Sequence, residues 1–539
     1  MAQFVNERET IVVEALDGLV SASGGKLARL DGYPHIRVVL RSDWDRSRVA
    51  LVSGGGSGHE PAHAGFVGGG MLTAAVCGDV FASPSVDAVL AGILAVTGPA
   101  GCLLIVKNYT GDRLNFGLAA ERARSLGLKV NMVIVDDDIA LPELVQPRGV
   151  AGTLFVHKIA GALAECGADL DTITAQAKAA IPRIKTIGLS LDTCTVPHSK
   201  KENRIPDGKA ELGLGIHGEP GVEQIAFNGA TDAVDRMVAR LADVIDTQPH
   251  VALVNNLGGV SGLEMSVLMH ALSRSRIAKS ISHVVGPAPL MSALDMRGFS
   301  ISLFRPEGAD LSLLETATPV VAWPGVAAFG TVKQVELPKG LTPAPFVGSK
   351  DSKVEALLTE CCKLLIASED ELNTLDAKSG DGDTGSTLSG AARAMLSAAD
   401  RLPFANYSDL CRAIAQELSQ TMGGSSGILL AIFFAAAADA AAAGQPMCDA
   451  FRAGLNRVQE VGGARLGDRT MIDALLPALD AWKDGPVAAA RAARDGANHT
   501  AALIQARAGR AAYVSAEQLK GNVDPGAEAV ARIFEHFAK

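Results

Sequence analysis

The character of the sequence changes once along the chain, near residue 340, and that change requires two different kinds of folding unit. Before it, short β-branched runs recur at 48–52, 102–106, 130–135 and 250–254, each followed by a Gly- or Asp-rich turn and a helical stretch. Runs that are hydrophobic on both faces must be covered on both sides. This predicts parallel strands in an α/β sheet, with functional loops at the strands' carboxyl ends. After residue 350 strand-like runs almost vanish and alanine dominates. Val354, Leu357, Leu358, Cys361, Leu364 and Leu365 recur at helical spacing, so this half is expected to be all-helical. The segment VELPKGLTPAPFVGSKDSK between the halves has three prolines and no periodicity, and reads as an exposed connector. The expected organisation is therefore 1–333, a connector at 334–350, and 351–539.

Composition narrows the partners. The 539 residues are 48% hydrophobic and carry a formal charge of −10, with no dense Lys/Arg stripe of the kind that tracks a phosphate backbone, so nucleic acid is not an expected partner. The eight cysteines form no CxxC pair and read as reduced thiols of a cytoplasmic protein. The amino terminus lacks a secretory pattern. The longest apolar run, 428–443, contains Asp439 and is mostly alanine, too short and weak to span a membrane. It reads as a buried helix of a bundle.

Three loops of the first half carry candidate chemistry. LVSGGGSGHEPAHAG (51–65) sets His59 and Glu60 beside glycines that let backbone amides approach a ligand. It has neither the GxGxxG register nor a GK[ST] ending, so neither a Rossmann nor a P-loop reading fits; a tight turn with a structural histidine is the competing explanation. IVKNYTGDRLNF (105–116) places Lys107, Asn108 and Asp112 on a strand-to-helix turn, where Asp112 is equally well explained as a helix cap. LGLGIHGEPG (212–221) sets His217 among glycines, an open setting that suits a nucleophile better than a packed histidine.

The second half gives the stronger physical argument. LDAKSGDGDTGST (375–387) brings Asp376, Asp381 and Asp383 onto one glycine-rich turn, where their charges repel unless a cation lies between them. Oxygen ligands favour a hard ion such as Mg²⁺, shared with substrate phosphates. An EF-hand needs a glutamate at its twelfth position, and the twelfth residue counted from Asp376 is Thr387. MGGSSG (422–427) offers Ser425 and Ser426 at a helix start, a setting that attracts phosphate or is simply a polar cap. GGARLGDRTMIDA (462–474), ARAGRAAY (506–513) and GNVDPGA (521–527) add Asp468, Thr470, Arg510 and Asp524. Arg510 suits neutralisation of a transferring phosphoryl group, although an exposed arginine is more often only solvated.

Together with GMLTAAVCGDVFASPS (70–85) and GVAGTLFVHKIAGA (149–162), these motifs resemble, in order and over essentially the whole chain, the dihydroxyacetone kinase family in its single-chain, ATP-dependent form. The resemblance implies an α/β half of two subdomains with largely parallel sheets, followed by an all-helical barrel or bundle. It also implies a hemiaminal between His217 and the substrate carbonyl, with sugar contacts from Gly56, Ser57, Gly58, His59, Lys107 and Asp112, and His59 and Asp112 as the acid/base pair. Asp376, Asp381 and Asp383 would hold Mg²⁺. Thr384, Gly385, Ser386 and Thr387 would surround ATP with Ser425, Ser426, Gly462, Thr470 and Met471. Arg510 and the turn Asp524, Pro525 and Gly526 would complete that set. Family precedent implies a cytoplasmic homodimer that phosphorylates dihydroxyacetone. Kinases of tetruloses or branched ketoses, an FAD-cyclising lyase side activity and a non-catalytic ketose-sensing regulator are the alternatives it leaves.

Overall fold

The computed structural model describes residues 3–141, 146–338, 346–507 and 509–539, apart from the side chains of 424–426 and 510. The chain divides into two units, Met1–Gln334 and Val335–Lys539.

The first unit carries two sheets. One contains β1 (Leu27–Arg29), β2 (Val38–Arg41), β3 (Ala50–Ser57), β4 (Ala74–Val80), β5 (Cys102–Lys107) and β6 (Val130–Val135), in the order β1-β2-β4-β3-β5-β6. All of β3 and β5 is buried, which explains why their sequences do not alternate. β3 runs parallel to both β4 and β5, and β5 parallel to β6, so the glycine turn after β3 and Lys107 at the end of β5 reach the same edge. Gly54 permits a close approach of β3 to β4: a Cβ there would lie 2.1 Å from the Val76 carbonyl oxygen.

The second sheet contains β7 (Ile184–Ser190), β8 (Lys209–Leu212), β9 (Glu223–Ala226), β10 (His250–Asn256), β11 (Ile281–Ala288), β12 (Gly298–Phe304) and β13 (Ala327–Ala328), in the order β13-β11-β10-β12-β7-β8-β9. The α/β class holds, but parallel pairing in this sheet is confined to β10 and β11, which are joined by the helix Gly262–Arg274. β8 and β9 pair antiparallel because the loop between them, 213–222, is too short for a crossover, and this loop carries His217. Leu51, Ile105 and Phe155 share one core with Leu253, Val285 and Phe304, so the helix Thr153–Glu165, buried over most of its length, packs between the sheets.

The second unit is helical and contains no named strand among its described residues beyond the bridge Ser349–Pro403. Its helices enclose a cavity of about 1450 Å³, bordered by side chains such as Leu358, Leu388, Phe433 and Ile472. The helix Gly424–Ala442 covers the long apolar run that reads as a buried helix of a bundle, and it forms a wall of this hollow barrel. Phe433, Ala437 and Ala438 are buried, whereas Ile428 is 52% exposed and borders the cavity. Among the described residues no helix is long and apolar enough to cross a membrane.

Candidate functional site

His217 is the centre of the site in the first unit. Its ring lies edge-on to Tyr109, His59 and Phe81, with centroid separations of 4.5, 4.8 and 5.4 Å. The two oxygens of Glu219 grip it from the following turn: Oε2 accepts the His217 backbone N–H at 3.0 Å, and Oε1 lies 3.1 Å from Nδ1. An ionised carboxylate only accepts, so Nδ1 carries the hydrogen and Nε2 keeps its lone pair. Burial alone would raise the Glu219 carboxyl, but the hydrogen bonds it accepts from the His217 ring and backbone outweigh it and hold the group down to about 2.

His59 stacks on Phe81 at 5.2 Å and is fully buried. Its Nδ1 lies 2.8 Å from the Ser292 carbonyl oxygen, which fixes the hydrogen on Nδ1 and leaves Nε2 as an acceptor. Burial, and then the nearby Lys107, push the His59 pKa well below its ordinary value, so the ring is neutral. Lys107 is also buried, and burial lowers its pKa against the opposing pull of Asp112 and Glu219. Asp112, in the first turn of the helix Thr110–Ser125, accepts a hydrogen bond from Ser83. A Cβ at Gly55 would lie 3.4 Å from Asp112 Oδ2 and 3.7 Å from Lys107 Nζ, so both groups converge on this glycine at the end of β3. Among the described residues His59 Nε2, Lys107 Nζ and the Tyr109 hydroxyl are buried without a hydrogen-bond partner. Three such orphans beside one open histidine nitrogen suit a small, hydroxyl-rich ligand.

The glycine turn serves more as a frame than as a set of contacts. The Ser57 hydroxyl donates to the Gly78 carbonyl at 2.8 Å, and the Gly58 N–H is taken by Glu60 at 2.9 Å. At Gly56 a Cβ would lie 2.7 Å from the Ala82 backbone nitrogen.

In the helical unit Asp376 ends the helix Glu369–Asp376 and is buried, while Asp381 and Asp383 are exposed on the turn before the helix Thr384–Ser397. Carboxylate oxygens of all three lie within 4.8 Å of one another, a hard, oxygen-only donor set that fits Mg²⁺. Asp376 Oδ2 also accepts from the Asp383 and Thr384 backbone N–H groups at 3.0 and 3.2 Å, so it shapes the turn as well. Gly385 has a packing role: a Cβ there would lie 2.0 Å from the Glu369 carbonyl oxygen. Ser386 exchanges hydrogen bonds with Asn373, its N–H donating at 3.0 Å and its hydroxyl accepting at 2.9 Å. Thr384 and Thr387 border the barrel cavity with the three aspartates, as do Gly462, Thr470 and Met471. Asp524, Pro525 and Gly526 border it too, and Asp524 caps the helix Pro525–Phe537, its side chain accepting from Ala527 N–H at 2.8 Å. The side chains of Ser425, Ser426 and Arg510 lie outside the described residues.

Several neighbours of His217 went unassigned in the sequence. Glu219, Tyr109, Phe81 and Ser83 all lie inside the motifs quoted above, so proximity to an assigned residue was the available signal. Ser292 lies 233 positions from His59 and offers no local signal.

The Dak1 domain family matches residues 17–322 and the DAK2 domain family residues 378–539. The chain is 47% identical to the dihydroxyacetone kinase of Citrobacter freundii over 544 residues, 99% of each chain. It is 42% identical to the human protein named triokinase/FMN cyclase over 572 residues, 98% of each. The crystal structure of the C. freundii dihydroxyacetone kinase in complex with AMP-PNP and Mg²⁺ matches with a TM-score of 0.70 at 45% identity, covering 100% of this chain and 99% of that one.

Proposed function

The chain belongs to the dihydroxyacetone kinase family, and we propose that it transfers the γ-phosphoryl group of ATP, with Mg²⁺, to the terminal hydroxyl of a small ketose, dihydroxyacetone first. In this reading 1–333 binds the ketose, 334–350 connects, and 351–539 binds the nucleotide. The observation that carries it is the convergence on His217 of a carboxylate at Nδ1 and three buried polar groups that have no partner among the described residues.

Nε2 of His217 attacks the substrate carbonyl carbon. The C–N bond forms as the carbonyl π pair moves to oxygen, and that oxygen becomes a hydroxyl by taking a proton from Lys107 Nζ, which leaves the positive charge on the ring. Positive charge developing on the ring is balanced by Glu219 at 3.1 Å, and Lys107 donates toward the former carbonyl oxygen. With the sugar fixed, Asp112, held by Ser83, accepts the proton of the attacking terminal hydroxyl, and His59 Nε2 accepts from a second hydroxyl. Asp376, Asp381 and Asp383 would hold Mg²⁺, which when bound neutralises phosphate charge. Thr384, Thr387, Gly462, Thr470, Met471 and the 524–526 turn form the nucleotide wall, with Ser425, Ser426 and Arg510 assigned to it by family resemblance. Gly385 and Ser386 act through the backbone turn. We place the protein in the cytoplasm as a homodimer; light scattering on the purified protein tests the dimer.

The activity is tested by coupled ADP release with Mg·ATP against dihydroxyacetone, tetruloses, pentuloses and glycerol. Turnover with dihydroxyacetone and a strong preference over glycerol are expected; absence of ADP release with every ketose would refute the assignment. Glu219→Gln keeps the shape of the carboxylate and removes its charge. It is expected to lower kcat/KM for dihydroxyacetone roughly 100-fold while leaving KM for ATP unchanged. An unaltered kcat/KM would show that Glu219 does not tune His217.

A further inference from the structure

Arg469 has no role in the set of residues assigned above. It is 1% exposed, among the largest fully buried side chains of the protein, and it borders the barrel cavity that the three aspartates also border. A guanidinium has five N–H donors in a fixed fork. Only Nη2 is used, donating to the Asn522 carbonyl at 2.8 Å; Nε and Nη1 are buried with no partner among the described residues. Burial lowers its pKa, with Asp524 opposing, yet an arginine remains a cation at neutral pH. A buried cation with two orphaned donors costs stability, so a purely structural arginine would be a poor choice for anchoring one carbonyl.

The local backbone is built to hold it there. Asp473 accepts the Gly467 and Thr470 N–H groups at 2.6 and 2.8 Å, and Asp468 accepts the Arg465 N–H at 2.7 Å. Pinned on both sides, Arg469 adopts φ of 62°, a left-handed conformation unusual for a side chain of this size. The next two residues, Thr470 and Met471, are in the proposed nucleotide wall. Gly526 packs against Met471: a Cβ there would lie 3.3 Å from Met471 Cβ.

We propose that Arg469 is an internal phosphate-binding residue, whose Nε and Nη1 donate to oxygens of the polyphosphate chain of the nucleotide. The proposal rests on the nucleotide reading of the helical unit. It adds a cation on the 465–473 turn, which the sequence reading, with Arg510 alone, did not contain. Arg469 would distinguish nucleotides by phosphate content, whereas base and ribose contacts lie elsewhere on the wall.

The test uses the full chain and two probes, Mg·AMP-PNP and adenosine, with affinities read by calorimetry. In Arg469→Met, Mg·AMP-PNP is expected to bind about 10- to 100-fold more weakly, with adenosine changed by less than about 2-fold. A merely structural role would weaken both probes in proportion, and equal Mg·AMP-PNP affinity in variant and parent would also overturn the proposal. If the methionine variant does not fold, Arg469→Lys decides: it keeps the charge without the fork, and a selective loss of a few-fold for Mg·AMP-PNP is expected. No selective loss there overturns the assignment. Failure of the parent to bind either probe would overturn the nucleotide reading, and this proposal with it.

Discussion

Replacing Asp381 or Asp383 by alanine is expected to lower Mg²⁺-dependent phosphoryl transfer by about 100- to 1000-fold while leaving capture of the ketose intact. The three carboxylates lie within 4.8 Å of one another, so each variant removes one hard ligand from the proposed Mg²⁺ position. Asp376 is a poorer test, because its carboxylate also accepts two backbone N–H groups and its loss would loosen the turn itself. A second readout separates a lost ligand from a lost fold. Mg²⁺ should raise the Tm of the parent, since an ion that binds only the folded state stabilises it by mass action. In metal-free buffer the alanine variants should still unfold cooperatively, which shows that the fold survives the substitution. They should then gain little from added Mg²⁺. Near parental turnover in either variant would remove Mg²⁺ from this turn.

How much of this was legible in the sequence follows from how local each cause is. β3 and β5 were readable because their burial on both faces leaves continuous apolar runs, and the acidic turn was readable because all three carboxylates lie within eight consecutive positions. The pairing of the second sheet was not: β12 lies between β10 and β7, an arrangement set by contacts across more than a hundred residues. The helical periodicity of the second half left barrel and bundle equally open, since an alanine-rich helix has the same pattern whether it fills a bundle or walls a cavity. For the site, the motifs located His217 and His59, but their separate tautomers depend on what each Nδ1 meets, a carboxylate two residues away in one case and a distant carbonyl in the other.

Those tautomers decide the last expectation, that His217→Ala abolishes a ketose adduct and collapses the preference for ketoses over glycerol by about 100-fold or more. Two histidines stand 4.8 Å apart with Nε2 available on each, so either is a geometric candidate for the attack. Attack places positive charge on the ring. At His217 that charge meets the Glu219 carboxylate, whereas at His59 it would arise in a buried ring close to the Lys107 cation, and both influences oppose it. Both considerations support the proposal that His217 is the nucleophile and His59 a hydrogen-bond acceptor. Covalent capture requires a carbonyl, which glycerol lacks, while both compounds offer hydroxyls; without the anchor only hydrogen bonds choose between them. Intact-protein mass spectrometry of the parent incubated with dihydroxyacetone should show a labile adduct lost on mild denaturation. His217→Ala should show none, yet bind Mg·AMP-PNP as the parent does, because the proposed nucleotide wall belongs to the other unit. An adduct surviving in His217→Ala and vanishing in His59→Ala would reverse the assignment, and would mean that the Glu219 carboxylate does not control which ring reacts.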